Sequence, residues 1–441
     1  MSLGTVAIIG SPNVGKSSLF NRIMGFQKSI VSNIAGTTRD RLYGLATWLN
    51  NNFFLIDTGG ISHDSDNSFS LQKQIEFQTK IAIEEADIII FLVDGNIGIT
   101  SDDKIITKKL FKSGKKIFLA VNKIDSINQQ DNVNEFYQLG LKPKAISSIH
   151  NLGIEELLGD VVNYLKNINK NIVEDLDAIK FSIIGKQNVG KSTLVNALSQ
   201  QTRVIVSEIP GTTRDAVETI FTYNKKKYIV IDTAGLKKRG KNSQIIDKIS
   251  SFKTFRAITN SEIVLFVIDI VEGISELDKH IAGYILNKAM AVIIVVNKCD
   301  VNNDLNSLSF SRKIKENFKF LNFANIVFIS AFKKYNIEKI FFEINIAYQN
   351  LHKKIEQDNL NNLIENITTY NEPPLFNGGR IKIFSIKQLD TIPPTFVLYV
   401  NNKKFMHFSY MRYIENEIRK KFPFTNSVVK IILENKINLT K

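Results

Sequence analysis

The sequence predicts an α/β protein with two consecutive domains of doubly wound, mostly parallel sheet and a smaller α+β domain after them. Three observations support this prediction. Four short motifs recur 175 positions further along the chain, as Gly10 does at Gly185. Short apolar runs alternate with amphipathic stretches, which is typical of strands joined by helices. The length of 441 residues suits about three domains of roughly 100–200 residues each.

The repeated motifs keep one register, and a period this long indicates duplicated domains rather than a solenoid. The pairs are Gly10–Ser17 with Gly185–Ser192, Ala35–Asp40 with Pro210–Asp215, Asp57–Gly60 with Asp232–Gly235, and Asn122–Asp125 with Asn297–Asp300. The apolar runs lack alternation, which indicates strands buried on both faces. They are Phe53–Ile56, Ile88–Val93, Ile117–Val121, Phe181–Ile184, Tyr228–Ile231, Ile263–Ile268 and Ala291–Val296.

An Asn-rich segment of mixed charge separates the two repeats and is interpreted as a linker. A predicted helix from Ile337 closes the second repeat. We therefore predict a first domain over residues 1–165, a linker over 166–177, a second domain over 178–352 and a third over 353–441.

The composition is that of an ordinary globular protein, with 44% hydrophobic and 23% charged residues. No run of 18 or more apolar residues is present, and the first strand begins without a basic or cleavable leader. The single cysteine, Cys299, excludes an internal disulfide and fits a reducing compartment, with packing as its expected role. We expect a cytoplasmic monomer that does not bind membranes.

The formal net charge is +14. One interpretation is codon bias, because the chain is rich in Lys, Asn, Ile and Phe. The other is a polyanionic partner, because excess Lys and Arg supplies sequence-independent affinity for phosphate backbones. Both interpretations stay open on charge alone.

A phosphate-binding loop (P-loop) is indicated twice by the pattern Gly-x-x-x-x-Gly-Lys-Ser, each time after an apolar strand. Its glycines let backbone N–H groups close around phosphates, and its lysine reaches the β and γ oxygens. A helix that begins at the loop directs its positive end at the same anion. The predicted nucleotide-binding residues are Gly10, Ser11, Pro12, Asn13, Val14, Gly15, Lys16, Ser17, Gly185, Lys186, Gln187, Asn188, Val189, Gly190, Lys191 and Ser192.

The motif Asn-Lys-x-Asp indicates that the base is guanine. The carboxylate of Asp125 or Asp300 can accept two hydrogen bonds from the guanine N1–H and exocyclic amine, a donor pair that adenine lacks. Both motifs follow an apolar strand, at the edge where α/β sheets bind ligands. The predicted base-binding residues are Asn122, Lys123, Asp125, Asn297, Lys298 and Asp300. The sequence therefore predicts two GTP sites.

Each repeat also carries residues suited to Mg²⁺ and the γ-phosphate. The P-loop serines and the strand-ending carboxylates suit the metal, and a glycine after each carboxylate can offer an N–H to the γ-phosphate. The residues of these segments are Ser17, Asp57, Thr58, Gly59, Gly60, Ser192, Asp232, Thr233, Ala234 and Gly235. A switch threonine can complete the Mg²⁺ site only when the γ-phosphate is present. Thr38 and Thr213 are favoured for this role, with Thr37 and Thr212 as near alternatives.

The residue that orients the attacking water is not a glutamine in either repeat. Many GTPases carry Gln after Asp-x-x-Gly, but Ile61 and Leu236 stand there. An apolar side chain cannot orient water, so another group must do so. Arg39 and Arg214 are candidate arginine fingers, and each is equally explained as a solvated surface charge.

These motifs resemble those of the translation-associated GTPases, and within them the Der (EngA) family, over nearly the whole chain. That family has two consecutive GTPase domains followed by a small KH-like domain. The C-terminal segment is similar to this third domain. After Pro373-Pro374, it has predicted strands at Gly379–Ile383 and Pro393–Val397, a predicted helix at Tyr410–Phe422 and a predicted strand at Val428–Leu433.

The resemblance implies a role in maturation of the large (50S) ribosomal subunit, with ribosomal RNA and proteins as partners. It also implies that K⁺ assists hydrolysis, bound by Asn13 and Asn188, in addition to GTP/GDP and Mg²⁺. Such a cation would supply the positive charge that an arginine finger otherwise gives. Ser330 and Ala331 match a base-contacting segment. The resulting catalytic set is Lys16, Lys191, Asn13, Asn188, Thr38, Thr213, Gly60 and Gly235.

The chain departs from the family pattern at a few positions. Ser11 stands where the first P-loop usually has Arg, and the second reads Lys186-Gln187; both changes lie outside the phosphate-binding set. Ser147-Ser148 replaces the usual Ser-Ala. The stretch from Asp300 to Ser330 is longer than its counterpart, which is consistent with a surface insertion.

Three interpretations of basic segments and function stay open. The loop Lys237–Lys241 either couples the nucleotide state to RNA or to the third domain, or is a plain charged loop. The third domain lacks a Gly-x-x-Gly loop, so it is either a noncanonical RNA surface or a docking module. The basic residues of that surface are Lys403, Lys404, Arg412, Arg419, Lys420 and Lys421. The alternative function is an RNA- or membrane-associated regulatory GTPase that does not act on the ribosome.

Overall fold

The computed structural model describes residues 2–25, 43–58, 79–80, 82–170, 178–200, 203–205, 219–231, 254, 256–288, 290–301 and 307–435. The chain divides into two structural units, one with the first repeat and the other with the second repeat and the C-terminal segment. None of the helices in these residues is long and apolar enough to cross a bilayer.

The described residues of the first repeat form one sheet with helices packed on it. The strands are β1 (Ser2–Ile9), β2 (Tyr43–Trp48), β3 (Asn51–Asp57), β4 (Ile88–Asp94), β5 (Lys116–Asn122) and β6 (Pro143–Ala145). The helices are α1 (Lys16–Gly25), α2 (Ser101–Lys112) and α3 (Ile154–Lys170). The strand order is β2-β3-β1-β4-β5-β6, and all neighbours are parallel except β2 and β3.

The second repeat builds the same arrangement. Its strands are β7 (Ala178–Ile184), β8 (Arg203–Ile205), β9 (Thr219–Tyr223), β10 (Lys226–Ile231), β11 (Ile263–Asp269), β12 (Ala291–Asn297) and β13 (Ile326–Phe328). Its helices are α4 (Lys191–Gln200), α5 (Glu276–Lys288), α6 (Ser307–Asn317) and α7 (Ile337–Leu351). The sheet order is β13-β12-β11-β7-β10-β9-β8, parallel from β13 to β10.

The predicted strands are confirmed because their apolar side chains are buried on both faces of each sheet. Every residue of β4 and β11 is buried, as expected for central parallel strands covered by helices. Cys299 packs against the core of the second repeat, and burial raises the pKa of its thiol to about 11. The helix α3 ends at Lys170, so the first residues of the predicted linker are helical and 171–177 lie outside the described residues.

Matched helix starts support the duplication. Thr100 and Asp103 form a capping box at the start of α2, in which each side chain bonds the backbone N–H of the other. Ser275 and Asp278 make the same two bonds at the start of α5. Such reciprocal bonds satisfy N–H groups that a helix start otherwise leaves unpaired.

The C-terminal segment forms a three-stranded sheet with two helices. The elements are α8 (Gln357–Tyr370), a short hairpin of β14 (Leu375–Phe376) and β15 (Gly379–Arg380), then β16 (Ile383–Leu389), β17 (Thr395–Val400), α9 (Phe408–Lys421) and β18 (Lys430–Asn435). The predicted strand–strand–helix–strand order is confirmed. Helix α8 was not foreseen from the sequence; its buried Leu360, Leu363, Ile364 and Ile367 face the same core as β17.

The third domain docks on the second repeat through a buried asparagine, Asn426. Its carbonyl accepts the Val292 N–H at 2.8 Å, and its own N–H donates to the Phe323 carbonyl at 2.8 Å. Its side chain accepts from the Asn325 N–H at 2.7 Å and donates to Glu343 at 2.7 Å. The peptide group before β18 therefore bonds along the β12 edge beside β13, which favours the docking interpretation of this domain.

One residue of the predicted basic surface belongs to this junction. Arg419 donates to Glu415 at 2.9 Å and to the Ser427 carbonyl at 3.1 Å, and its guanidinium lies 4.7 Å from the Phe323 ring centroid. Burial lowers the pKa of Arg419, and Glu415 offsets part of this effect. Arg419 therefore does not belong to the exposed RNA surface that the sequence offered as one alternative, because its side chain is largely buried and its Nε and Nη1 groups donate inside the protein. The other five basic residues, Lys403, Lys404, Arg412, Lys420 and Lys421, are exposed.

Candidate functional site

The two P-loops have the same backbone. Gly15 (φ +99°) and Gly190 (φ +94°) lie in a region that residues with a side chain rarely adopt. A Cβ at either position would also lie 2.3 Å from the side-chain nitrogen of Asn122 or Asn297. Glycine is therefore required here for two reasons, conformation and space.

A hydrogen bond joins the base motif to the P-loop in each repeat. The Asn122 amide donates to the Val14 carbonyl at 2.7 Å, and the Asn297 amide donates to the Val189 carbonyl at 2.8 Å. Both bonds are buried. The segments predicted to hold the base and the phosphates are thus fixed to one another, although they are more than a hundred residues apart in sequence.

The P-loop lysines lie inside the loop. Lys16 Nζ donates to the carbonyls of Gly10 (3.1 Å) and Ser11 (2.8 Å). Lys191 Nζ makes the matching contacts with Gly185 (2.7 Å) and Lys186 (2.5 Å). Burial lowers the pKa of Lys16, with Asp57 offsetting part of the effect, and lowers the pKa of Lys191 to about 8. A partly desolvated ammonium is primed for an anionic ligand.

The carboxylate at the end of β3 lies beside the P-loop serine. Ser17 Oγ donates to Asp57 Oδ2 at 2.7 Å, and Asp57 is buried. Thr58 Oγ1 donates to the Ile8 carbonyl at 2.9 Å, so its side chain bonds to the backbone of β1 in the sheet. The outermost P-loop residues are exposed: Pro12, Asn13, Gln187 and Asn188.

The base motifs are held by ion pairs and by a serine. Lys123 Nζ lies 2.5 Å from Asp94, and Lys298 Nζ lies 2.5 Å from Asp269. These two aspartates end β4 and β11 and are buried. The predicted base carboxylates accept a bond from a serine hydroxyl. Ser147 donates to Asp125 at 2.6 Å, and Ser330 donates to Asp300 at 2.5 Å.

The loop after β6 or β13 completes the base end. The Ser148 N–H donates to Asn122 Oδ1 at 3.0 Å, and the Ala331 N–H donates to Asn297 Oδ1 at 2.9 Å. The Ser148 hydroxyl adds a bond to the same oxygen at 2.9 Å. Ser147 and Ser148 thus occupy the positions of Ser330 and Ala331, and replacing Ala by Ser leaves the geometry intact.

Comparisons with known proteins match both repeats and the third domain. A family model described as 50S ribosome-binding GTPase matches residues 5–123 and again 180–298. A model for the KH-domain-like C-terminal domain of EngA bacterial GTPase enzymes matches residues 354–434. A GTPase Der of Macrococcus caseolyticus is 45% identical over 435 residues, 98% of this chain and 99% of that protein. The chain belongs to the Der family of GTPases.

Other relatives agree. A GTPase Der of Geobacillus sp. (strain WCH70) is 45% identical over 435 residues, again 98% of this chain and 99% of that protein. One of Enterococcus faecalis is 45% identical over 436 residues with the same coverage. As a Der GTPase, the chain has two GTPase domains and a KH-like domain, hydrolyses GTP, and uses GTP/GDP with Mg²⁺ as this class of enzyme typically does.

Two P-loop side chains point to a buried aspartate, on α2 in the first domain and on α5 in the second, instead of into the loop. Ser11 Oγ donates to Asp103 at 2.7 Å, while Lys186 Nζ lies 3.0 Å from Glu272 and 3.5 Å from Asp278. Asp103 and Asp278 are the third helical residues of the capping boxes that begin α2 and α5, in which Thr100 and Ser275 are the caps. In this Der GTPase, therefore, Ser11 and Lys186 brace the P-loop from outside.

Sequence reasoning missed residues that the constant spacing could have found. Asp94 and Asp103 recur 175 positions later as Asp269 and Asp278, in the same register as the four motifs. They were missed because isolated aspartates lack a motif of their own. The pair Ser147-Ser148, by contrast, was recognised from the sequence as standing in place of Ser-Ala, although the longer stretch after Asp300 shifts its register against Ser330 and Ala331.

The remaining predicted site residues of this Der GTPase lie outside the described residues. They are Thr37, Thr38, Arg39, Gly59, Gly60, Ile61, Thr212, Thr213, Arg214, Asp232, Thr233, Ala234, Gly235, Leu236 and Lys237–Lys241.

Proposed function

We propose that both domains hydrolyse GTP to GDP and phosphate and that the protein acts in maturation of the large (50S) ribosomal subunit. The observation that carries the two-site part is the pair of Asn122 and Asn297 bonds, which join base and phosphate segments identically in both repeats. The ribosomal part is supported by the family model, described as 50S ribosome-binding GTPase, that matches both repeats.

Each P-loop lysine would leave its backbone carbonyls for the β and γ phosphates. Lys16 and Lys191 are partly desolvated already, so a phosphate that restores a charged partner is strongly favoured. Asp125 and Asp300 would accept from guanine while their serine partners hold them in place. Gly60 and Gly235 are assigned to the γ-phosphate by sequence position.

The first site fits Mg²⁺. Hydroxyl and carboxylate oxygens are the donors that Mg²⁺ prefers, and those of Ser17 and Asp57 are already 2.7 Å apart. Ser192 and Asp232 are assigned to the second site by the repeat, and Thr38 and Thr213 complete the two sets. Bound Mg²⁺ neutralises charge on the β and γ phosphates.

We assign K⁺ stimulation to Asn13 and Asn188. Both are exposed at the P-loop surface and have φ +64°, a left-handed conformation that Asn adopts more readily than most residues. Their side-chain carbonyls are suitable ligands for a monovalent cation. This assignment agrees with Ile61 and Leu236, since neither can orient water and positive charge must come from elsewhere.

The ribosomal proposal is favoured over a membrane-associated regulator by the family model described as 50S ribosome-binding GTPase. A net charge of +14 is consistent with it, since excess Lys and Arg suits a phosphate-rich platform. The docked third domain leaves Lys403, Lys404, Arg412, Lys420 and Lys421 exposed. Ribosomal RNA and ribosomal proteins would be the partners.

The test is co-sedimentation of the full-length protein with purified 50S subunits, in GDP or a non-hydrolysable GTP analogue, at fixed salt and K⁺. We expect association with the analogue and release with GDP. The double variant Lys16→Ala, Lys191→Ala is the control, because it should not respond to the analogue. Absence of association in both nucleotide states would refute the ribosomal role while leaving GTP hydrolysis intact.

A further inference from the structure

The loop after Ser330 has the backbone of its counterpart in the first domain. Ser330 and Tyr335 exchange two backbone hydrogen bonds of 3.2 and 3.0 Å, and the Lys333 N–H donates to Ser330 Oγ at 3.0 Å. In the first domain, Ser147 and Leu152 exchange bonds of 2.9 and 3.2 Å. The two hairpins therefore differ in side chains and not in shape.

The side chains give the second hairpin a different chemistry. Its residues Phe332, Lys333, Lys334 and Tyr335, the Phe332–Tyr335 loop, are all exposed, and their counterparts are Ile149, His150, Asn151 and Leu152. Phe332 is 80% exposed and Tyr335 59%. Among the described residues, neither ring packs against another ring or a cation. Two large rings are thus held in solvent beside two lysines.

The backbone at Lys334 also argues against a neutral surface loop. Lys334 has φ +57°, in the left-handed region, where its counterpart Asn151 has φ +61°. Asparagine tolerates this conformation, whereas lysine is strained in it. Strain that the fold retains at an exposed position is a pointer to function.

We propose that the Phe332–Tyr335 loop binds single-stranded RNA, with its rings stacking on unpaired bases and its two ammonium groups pairing with phosphates. Adjacent aromatic rings and lysines suit this ligand, because an aromatic ring can stack on any unpaired base and an ammonium group can pair with the phosphate of any nucleotide. The loop itself carries no carboxylate, and Glu338 on α7 is the nearest acid in sequence. The inference rests on the proposed ribosomal function, which would bring RNA within reach.

The loop is also tied to the base end of the nucleotide site. Ser330 accepts the Lys333 N–H and donates to Asp300 at 2.5 Å. An RNA strand on this loop would therefore be connected through Ser330 to Asp300, the carboxylate assigned to guanine.

The test is fluorescence anisotropy with full-length protein and a labelled RNA of about 16 nucleotides without self-complementarity, together with its duplex. The double variant Phe332→Ala, Tyr335→Ala should weaken single-strand binding at least about 25-fold, because each of the two lost stacks is expected to cost about fivefold or more. Duplex binding should not change. The matched control is Ile149→Ala, Leu152→Ala, which removes the exposed apolar side chains of the first hairpin and should bind RNA like the wild type.

A second variant tests the charges. Lys333→Gln with Lys334→Asn installs the counterpart residue at the strained position, and should lower the slope of log affinity against log salt by about 1.4, at about 0.7 per phosphate contact. The proposal is overturned if wild-type protein does not bind the strand, if the aromatic variant binds it like the wild type, or if the control loses as much. Loss of RNA binding in the variants without 50S association of the wild type would leave the loop assigned and refute the ribosomal function alone.

Discussion

The two GTPase domains share the contacts that build the nucleotide site and differ at the edge of the sheet and around the base loop. Both hold the P-loop to the base motif by one asparagine bond, at 2.7 and 2.8 Å. At the sheet edge, however, Lys116 of β5 is exposed, while its counterpart Ala291 of β12 is buried in the core of the second domain and pairs through its backbone with Ser427 of the third domain. An exposed lysine protects a free strand edge from pairing with other chains. The second domain thus differs from the first where it contacts the third domain, whereas the bond between P-loop and base motif is the same in both.

A second difference lies beside the base. Arg22 on α1 donates to the carbonyls of Ser148 (3.0 Å) and Ile149 (2.5 Å), which clamps the first base loop to the helix that starts at the P-loop. The counterpart of Arg22 is Ala197, a buried core residue of the second domain. Within the part of the chain that the structure describes, the first base loop has a support that the second lacks, so the two sites should differ in how fast they exchange nucleotide.

The largest expected effect tests the shared part of the comparison. Asp125→Asn and Asp300→Asn, each in a chain whose other site carries the P-loop Lys→Ala change, should lose affinity for GDP about 10⁴-fold. Each should gain affinity for xanthosine diphosphate, which has a carbonyl where guanine has the amine. Titration calorimetry with both nucleotides measures this. A loss at one site only would break the equivalence of the two base ends.

The next prediction tests the junction between the second and third domains. Asn426→Ala removes two buried side-chain hydrogen bonds and puts alanine at φ +64°, which should destabilise the second unit by about 3 kcal/mol. Hydrogen exchange should report faster opening of β12, with β5 of the first domain unchanged. Asn377→Ala is the control, since Asn377 also has positive φ (+51°) but is exposed. Equal effects of both variants would attribute the loss to backbone strain.

A smaller effect tests the clamp. Arg22→Ala removes two charge-assisted bonds to the first base loop, and GDP should dissociate from the first site about tenfold faster. Stopped-flow release of a fluorescent GDP analogue, with the second site disabled by Lys191→Ala, measures the rate. Arg22→Lys should restore only part of the effect, because lysine lacks the planar fork of arginine. An unchanged rate in Arg22→Ala would remove the clamp from the comparison.

The smallest effect concerns pH at the second site. The free Lys191 ammonium has a pKa of about 8, and bound phosphate should raise it because the anion favours the charged form. Affinity for GDP should therefore be flat below pH 8 and fall as the pH rises above it. Calorimetry of the Lys16→Ala protein in two buffers should show uptake of about three-quarters of a proton at pH 8.5 and about a tenth at pH 7. Equal uptake at both pH values would contradict this.

The sequence was informative where chemistry requires a spacing. The P-loops, the base motifs and the buried strands were predictable because glycine conformation, phosphate binding and burial on two faces each restrict residue type at fixed positions. Gly15 shows this, since both its φ and the nearby Asn122 exclude a side chain.

Contacts between distant segments were not predictable from one sequence. Nothing in the pattern around Arg419 or Asn426 distinguishes a surface residue from one at a domain junction, because that depends on which segment packs against it. The bracing of Ser11 by Asp103 is similar, since ninety-two positions separate two ordinary polar residues. Helix α8 was missed because its four apolar residues can be recognised as core residues only when the sheet that they pack against is known.

The covered edge of β12 also bears on how the chain reaches its native state. From Val292 to Asn426 the separation is 134 positions, so the start of this strand, which β13 does not pair with, keeps a bare edge until a much later part of the chain has been made. Contacts over such distances form slowly, and a free edge is open to pairing with other chains meanwhile. The described sheet of the first domain draws its strands from residues 2–145, so it can form during synthesis. During synthesis, the second domain is therefore open to aggregation for longer than the first domain, which is made earlier.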